Sequence, residues 1–460
     1  MARYPLFGTG ETGRSVHYSA QRRLNLYCAI KQQGDRSQLA YYGTPGLALF
    51  ASFGAEPVRG AHTFRDIMYV VHRGTLYSMN NSAVKTVLGT LSTTAGRVSM
   101  ADNGTQIFMV DGTDGYIYNI DTGAFSVITD ADFWDVANTC AYQAGRFLYD
   151  KKSSGQFGIS ASYDGAAHDA TEFATSESFS DDMVRIFVDH SEVILFGSLS
   201  TEFWGNTGAL DFPYQPINGA VVEYGLAARW SLAKLSNSVA FLGKNREGQV
   251  GVFLLKGYQP QRISTDEMEY TINNYSTVAD ASGFAYKAGG HTFYQLNFPT
   301  AGKSWLYDDD SKMWSHLEYG STGGRHRAEF GVEFINKSLV FDYANGNVYQ
   351  ISIDATDDNE EPIVREIVGR HIIDEEMISI SRMWLDIETG LGSDPQAMLS
   401  VSKDGGHSFG SERWTSLGAI GEFKTRAIWR VLGQAYDWVF KVRISGATKC
   451  TISGAWVDAK

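Results

Sequence analysis

The stretch closest to a catalytic signature is Gly8-Thr9-Gly10-Glu11-Thr12-Gly13-Arg14-Ser15, which nearly has the spacing of a phosphate-binding loop. In such a loop a lysine reaches the β and γ phosphates and a helix follows. Here Arg14 stands at the lysine position and no long amphipathic helix comes after it, so the stretch reads as a glycine-rich N-terminal loop. Three acidic clusters carry the oxygen donors that calcium accepts: Asp181-Asp182, Asp308-Asp309-Asp310 and residues 354–361. None has the spaced Asp/Asn-Gly-Glu order of an EF-hand, and they read as solvated turns. Arg325-His326-Arg327 could meet a phosphate or an acidic surface, and reads as a solvated basic turn. Cys28, Cys140 and Cys450 are too scattered for a metal site or a disulfide framework and read as free buried thiols. There is no Gly-x-Ser-x-Gly elbow and no His-Glu-x-x-His, and the ten histidines are scattered without zinc spacing. No residue is assigned as catalytic, metal-ligating or cofactor-binding.

The elements that would have to position any site are better marked. Gly74-Thr75-Leu76-Tyr77-Ser78-Met79, Gly115-Tyr116-Ile117-Tyr118-Asn119-Ile120 and Gly346-Asn347-Val348-Tyr349-Gln350-Ile351 share one pattern. Glycine turns the chain, and alternating β-branched or aromatic residues follow, as a half-buried strand requires. Another strand precedes each glycine, over residues 66–71, 105–110 and 337–343, so each copy predicts a hairpin. The first two glycines lie about 40 residues apart, the period of a propeller blade, and the gap to the third holds about five more intervals. Weaker copies fall within that gap: Gln156-Phe157-Gly158-Ile159-Ser160, Thr201-Glu202-Phe203-Trp204, Val250-Gly251-Val252-Phe253-Leu254 and Lys303-Ser304-Trp305-Leu306-Tyr307. The expectation is an all-β chain, with a β-propeller of about seven blades over 1–365. Its N-terminal strand could close the last blade. The competing reading is a large irregular β-sandwich.

Residues 150–180 are polar and are expected to include an exposed loop, and residues 354–362 predict a linker. Beyond it the period changes. About six strands over 366–460, among them 384–387, 398–401, 428–431 and 439–444, predict a β-sandwich-like domain. Within it, Ser402, Asp404, Gly406, Ser408 and Phe409 make a segment similar to the Asp-box of sialidase-type propellers, a turn in which carboxylate and hydroxyl satisfy backbone donors.

Composition narrows the function. Glycine at 48 against proline at 9 suits many tight turns, and a formal net charge of −13 argues against tight binding of DNA phosphates. No apolar run is long enough to span a membrane. The N-terminus has no apolar signal core, so the expectation is a mature chain beginning near Met1 and first present in the cytoplasm.

Gln21, Arg22, Asn25 and Tyr27, followed by Gly43, Thr44, Pro45 and Gly46, resemble the N-terminal signature of the packaged-DNA stabilisation proteins of short-tailed bacteriophages, also called tail hub or nozzle proteins. The chain departs from that family at Cys28 and Ala29, where members carry proline and glutamate. The resemblance implies a non-enzymatic virion protein of the tail, assembled in the host cytoplasm. It implies a homohexameric ring below the portal and adaptor that lengthens the DNA channel and retains packaged DNA until ejection. Implied partners are the portal–adaptor ring, a tail needle or plug, and a tailspike or fibre, with double-stranded DNA passing through. An acidic ring would let DNA slide without sticking. The alternative is a sialidase-like or carbohydrate-binding propeller acting on host surface glycans.

Overall fold

A computed structural model describes residues 2–30, 38–134, 136–176, 181–209, 212–321 and 323–459. The chain is built almost wholly of strands, with one short helix, Asp266–Asn273, among the described residues. Seven four-stranded antiparallel meanders follow one another. Blade 1 is Val58–Phe64, Ile67–His72, Thr75–Met79 and Lys85–Thr90. Blades 2, 3 and 4 begin at the strands Ser99–Asp102, Cys140–Gln143 and Met183–Asp189. Blade 5 begins at Ala233–Leu235, blade 6 at Ser282–Ala288 and blade 7 at Ala328–Phe334. Six of the meanders lie in sheets of their own, while blade 6 is continuous with the sheet that runs on into the C-terminal region. The hairpin copies read from sequence, strong and weak alike, form the third strand of each meander.

Seven buried clusters account for the ring. Each joins two neighbouring blades. Tyr69, Val71 and Leu76 of blade 1 meet Ile107, Met109 and Tyr116 of blade 2. The last cluster brings Phe334, Leu339 and Phe341 of blade 7 back against Met68, Val70 and Met79 of blade 1. Burial on both faces explains why the second strands, such as Gln106–Val110, are near-continuous apolar runs.

Blade 7 has only three strands of its own. Its fourth is Gly46–Ser52, from the beginning of the chain, paired antiparallel with Asn347–Ser352. This seals an edge that would otherwise expose unpaired backbone groups. Gly46 is required by close approach, because a Cβ there would stand 2.2 Å from the Asp357 carbonyl oxygen.

The C-terminal region is a sandwich around Leu385, Leu399, Trp438, Phe440, Val442 and Val457. The segments expected as separate strands at 428–431 and 439–444 are one strand, Ala427–Ser445. Its first half pairs with Ile372–Ile387 and its second with Gln396–Ser402 and Arg365–Val368, so it turns the corner between the two sheets. Residues before 45 also depart from the expected linear division at 365. Ala2–Pro5 and Leu39–Gly43 pair with Thr451–Ala459, and Arg22–Leu24 pairs with Arg365–Val368. The N-terminal segment is shared between sandwich and propeller because both need an edge strand there.

Residues 150–180, expected to include an exposed loop, supply the strands Gln156–Ala161 and Asp164–Thr175, and 177–180 lie outside the described residues. The outer strand of a blade borders solvent, so it tolerates a polar composition that reads like a loop.

Gly46→Ala is expected to destabilise the protein by about 1–3 kcal/mol through overpacking against the 355–357 backbone. The measurement is urea unfolding, with a lowered midpoint at unchanged slope. An unchanged midpoint would mean that the closing strand yields at no cost.

Candidate functional site

The signature residues converge on the junction of propeller and sandwich. Arg22–Leu24 touches both: it pairs with Arg365–Val368 of the sandwich, and Leu24 bridges His316 on the last strand of blade 6. Asn25 follows, only 2% exposed and in the left-handed region at φ 51°, which asparagine tolerates better than most residues. Its Nδ2 donates to the carbonyls of Glu318 at 2.9 Å and Val364 at 2.8 Å, and its Oδ1 accepts from the Glu318 N–H at 3.0 Å. One side chain thus ties blade 6 to the entry of the sandwich.

Neighbouring residues reinforce the tie. Arg22 pairs with Glu318 at 2.8 Å and reaches Glu366 at 3.5 Å. Arg23, buried although charged, donates to the carbonyls of Trp314 at 2.8 Å and Gly10 at 2.9 Å. Thr44 donates to the Asn25 carbonyl, and Pro45 is buried beside it. Gly43 leaves room for Arg365, whose Nε would lie 2.4 Å from a Cβ at that position. Tyr27 stacks on Tyr42 and sets its edge against Phe293 of blade 6. Gln21 fills the space over Gly8 and Gly10.

The loop with phosphate-binding spacing therefore has the opposite polarity. Its Gly10 carbonyl accepts from an arginine, and no helix follows it. The Asp-box-like segment is a turn of the sandwich between Gln396–Ser402 and Arg413–Ser416. Ser402 Oγ donates to Asp404 at 2.6 Å, and Asp404 accepts the Ser408 N–H at 2.9 Å. Hydrogen bonds from Ser402 and Ser408 hold the Asp404 carboxyl well below the usual range. Gly406, at φ 86°, donates its N–H to Ser402, and the Phe409 ring receives Lys441. The carboxylate is consumed by the turn.

Other sequence-marked groups are less exposed than expected. His326 is buried between blades 6 and 7, where Ser304 Oγ accepts its backbone N–H at 3.0 Å, and Arg325 pairs with Glu329. This basic tripeptide belongs to a polar network and not to a solvated turn. Asp181 accepts the Leu199 and Ser200 N–H groups. Asp308 is buried and accepts from Ser311 Oγ, with His291 Nδ1 2.9 Å away. His291, Asp308 and Asp310 are the one trio of ligand types that gathers among the described residues. Their oxygens already accept from Thr292 N–H and Ser311, so the trio is accounted for as a hydrogen-bonded turn. Asp358, also expected in a solvated turn, is buried near Arg365, and burial pushes its carboxyl up to about 7. The three cysteines are buried, and burial raises each thiol.

Sequence reasoning missed the propeller axis. Arg97 precedes the inner strand of blade 2, yet its guanidinium lies 4.0 Å from the Phe330 ring of blade 7 and 4.9 Å from the Trp230 ring at the approach to blade 5. Arg185 of blade 4 meets the same indole at 5.3 Å. Side chains therefore fill the centre. Nothing in the local pattern around Arg97 marks it as axial, because its neighbours come from distant blades.

The family model described as "Bacteriophage P22 Gp10, beta-propeller" matches residues 2–356, and "Bacteriophage P22 Gp10, beta-sandwich" matches residues 365–460. No curated protein matches the chain. Among solved structures, the extracellular domain of a hybrid two component system from B. thetaiotaomicron is 8% identical with a TM-score of 0.47. That match covers 77% of this chain, which spans only 45% of the bacterial chain. The computationally designed Ika8 protein is 9% identical over 72% of this chain and 99% of its own, with a TM-score of 0.40. A chain of the Mitotic Checkpoint Complex is 10% identical over 70% of this chain and 94% of its own, with a TM-score of 0.42.

Two predictions follow from the junction. Asn25→Ala leaves buried backbone groups of residues 318 and 364 unpaired and places alanine at positive φ, a loss of about 3 kcal/mol or more. Asn25→Gly restores only the backbone freedom and is expected to fall between. Calorimetry should show the propeller and sandwich melting apart in the alanine variant; a single transition at the wild-type temperature would exclude the role. The second prediction concerns pH. Burial, with Arg22, Lys303 and Arg23 nearby, holds His316 at about 3, below its ordinary 6.5. Its neutral form is favoured in the fold, so the stability it contributes is complete above pH 6.5 and is lost as pH falls towards 3. Asp358 acts in the opposite sense between about 7 and 4, so the test compares variants. His316→Gln should flatten the fall in Tm between pH 6.5 and 4, and an unchanged slope would refute it.

Proposed function

The chain belongs to the bacteriophage P22 Gp10 family of packaged-DNA stabilisation proteins, and from that membership we propose that it forms the tail hub or nozzle ring of the virion. It is a phage structural protein. In this reading, copies assemble in the host cytoplasm into a homohexamer below the portal and adaptor. The ring lengthens the DNA duct, and with a needle or plug it holds the genome until ejection. A tailspike or fibre is a further neighbour.

The observation that carries the proposal is the junction. A hub must transmit load from the adaptor above to the plug below without bending. Here a hydrogen-bonded sheet runs from blade 6 through Arg22–Leu24 into the sandwich, and Asn25 pins both sides. Such a module packs into a closed ring through head-to-tail contacts. The duct is then the space that the copies enclose, because Arg97, Trp230 and Phe330 fill the axis of each propeller. A net charge of −13 repels phosphate and lets DNA slide in that duct. The role requires no catalysis, and Asp404, the residue most suggestive of a glycan-active propeller, is committed to its turn.

Mass photometry of the chain, alone and mixed with portal–adaptor complexes, tests the proposal. The expected outcome is one closed ring added per complex. A chain that never joins the complex would overturn it, and a duct wall found to be lined by lysine and arginine would overturn the sliding mechanism.

A further inference from the structure

Resting on the ring reading above, the two ends of strand Ile372–Ile387 indicate how copies meet. At its start the pairing with Ala427–Ser445 jumps from Ile373↔Asp437 to Ile378↔Ala435, so residues 374–377 bulge out opposite Tyr436. Asp374, Glu375 and Glu376 form the exposed tip. Ile373 and Met377 flank them, 63% and 49% exposed. The result is an acidic knob with apolar shoulders.

At the other end the same strand lines an open groove of about 880 Å³. Met383, Leu385 and Ile387 are buried towards the core, while Trp384 and Arg382, the latter ion-paired with Asp458, line the groove. Trp384 stacks on Trp456 with ring centres 5.8 Å apart. Lys424 and Arg426 stand exposed on its wall and form no ion pair among the described residues. Among the described residues, Asp386 is the one acidic side chain lining it. Phe423, 69% exposed, stands in the same wall. On an acidic protein, a basic and aromatic groove of this kind is a local exception.

Knob and groove are complementary in charge and in apolar character. Within one copy the path from the base of the knob at Ile378 to Trp384 is about 20 Å along a paired strand, so a copy cannot fold its knob into its own groove. We propose that the 373–377 knob of one copy seats in the Trp384–Trp456 groove of the next. The contact is heterologous: each copy offers a knob at one end of this strand and a groove at the other, and such contacts close into a ring when the rotation fits.

The test is charge exchange in the full chain. Glu375→Lys with Glu376→Lys, or Lys424→Glu with Arg426→Glu, should each raise the concentration for half-assembly by ~10-fold or more. A mixture of the two variants should recover assembly wherever a reversed knob meets a reversed groove. Circular dichroism checks that each variant is folded; these residues are on the surface. A second readout does not depend on affinity. Glu375→Cys combined with Arg426→Cys should give ladders of linked copies with a short bismaleimide, against a background of native cysteines that are buried. Rings that form normally in both charge variants and give no ladder would overturn this contact and leave the ring reading standing. A wild-type chain that forms no ring, even on portal–adaptor complexes, would bring down both.

Discussion

Backbone hydrogen bonds at sheet edges are the constraint on which this molecule depends. A circle of seven sheets must be closed by a strand that completes the last blade, and a sandwich beside it has edges of its own. The first fifty residues answer both needs. Ala2–Pro5, Arg22–Leu24 and Leu39–Gly43 are paired into the C-terminal sheets, and Gly46–Ser52 then closes the propeller. Because one segment serves two bodies, neither can move far without breaking ladders in the other. The turn at Asn25 and the close approaches at Gly43 and Gly46 are the local geometry that this sharing requires.

Charge is handled differently inside and outside. Within the fold, Arg23 is held by carbonyls, Asp308 by a hydroxyl and a histidine, and Arg97 by aromatic faces at the propeller axis. A buried ion that lacked such partners would be costly. Over the chain as a whole acidic residues are in surplus, while Lys424, Arg426 and the Asp458-paired Arg382 gather around two tryptophans. The same residue types thus serve packing in one place and stand at the surface in another, and only their surroundings distinguish the two.

A structural role explains why so many chemically suggestive groups are spent on architecture. The hydroxyls and carboxylate of the Asp-box-like turn satisfy one another and the backbone. The Gly8–Ser15 loop offers a carbonyl to an arginine. His326 lies in a network between blades. A structural protein is served by polar groups that lock turns, since these fix loop geometry without adding exposed apolar surface.

Much of the fold was legible from residues alone. The Gly-x-aliphatic-Tyr repeat located the third strand of the blades, because strand alternation and glycine turns are local properties of the chain. The signature at 21–46 pointed to the family, though not to the junction those residues build. The rest was decided by partners distant in sequence. Residues 427–445 read as two strands, since a strand that changes sheets interrupts its own alternation. Residues 164–175 fall in a polar stretch expected to include a loop, since the outermost strand of a blade borders solvent. Arg97 carried no signal, since the rings it meets are contributed by blades 5 and 7. Local pattern determined that the chain is all-β, that hairpins recur about every 40 residues and where many of its turns fall. Tertiary structure decided which edges pair, which charges are buried and which face stays open, because these depend on contacts between residues hundreds of positions apart.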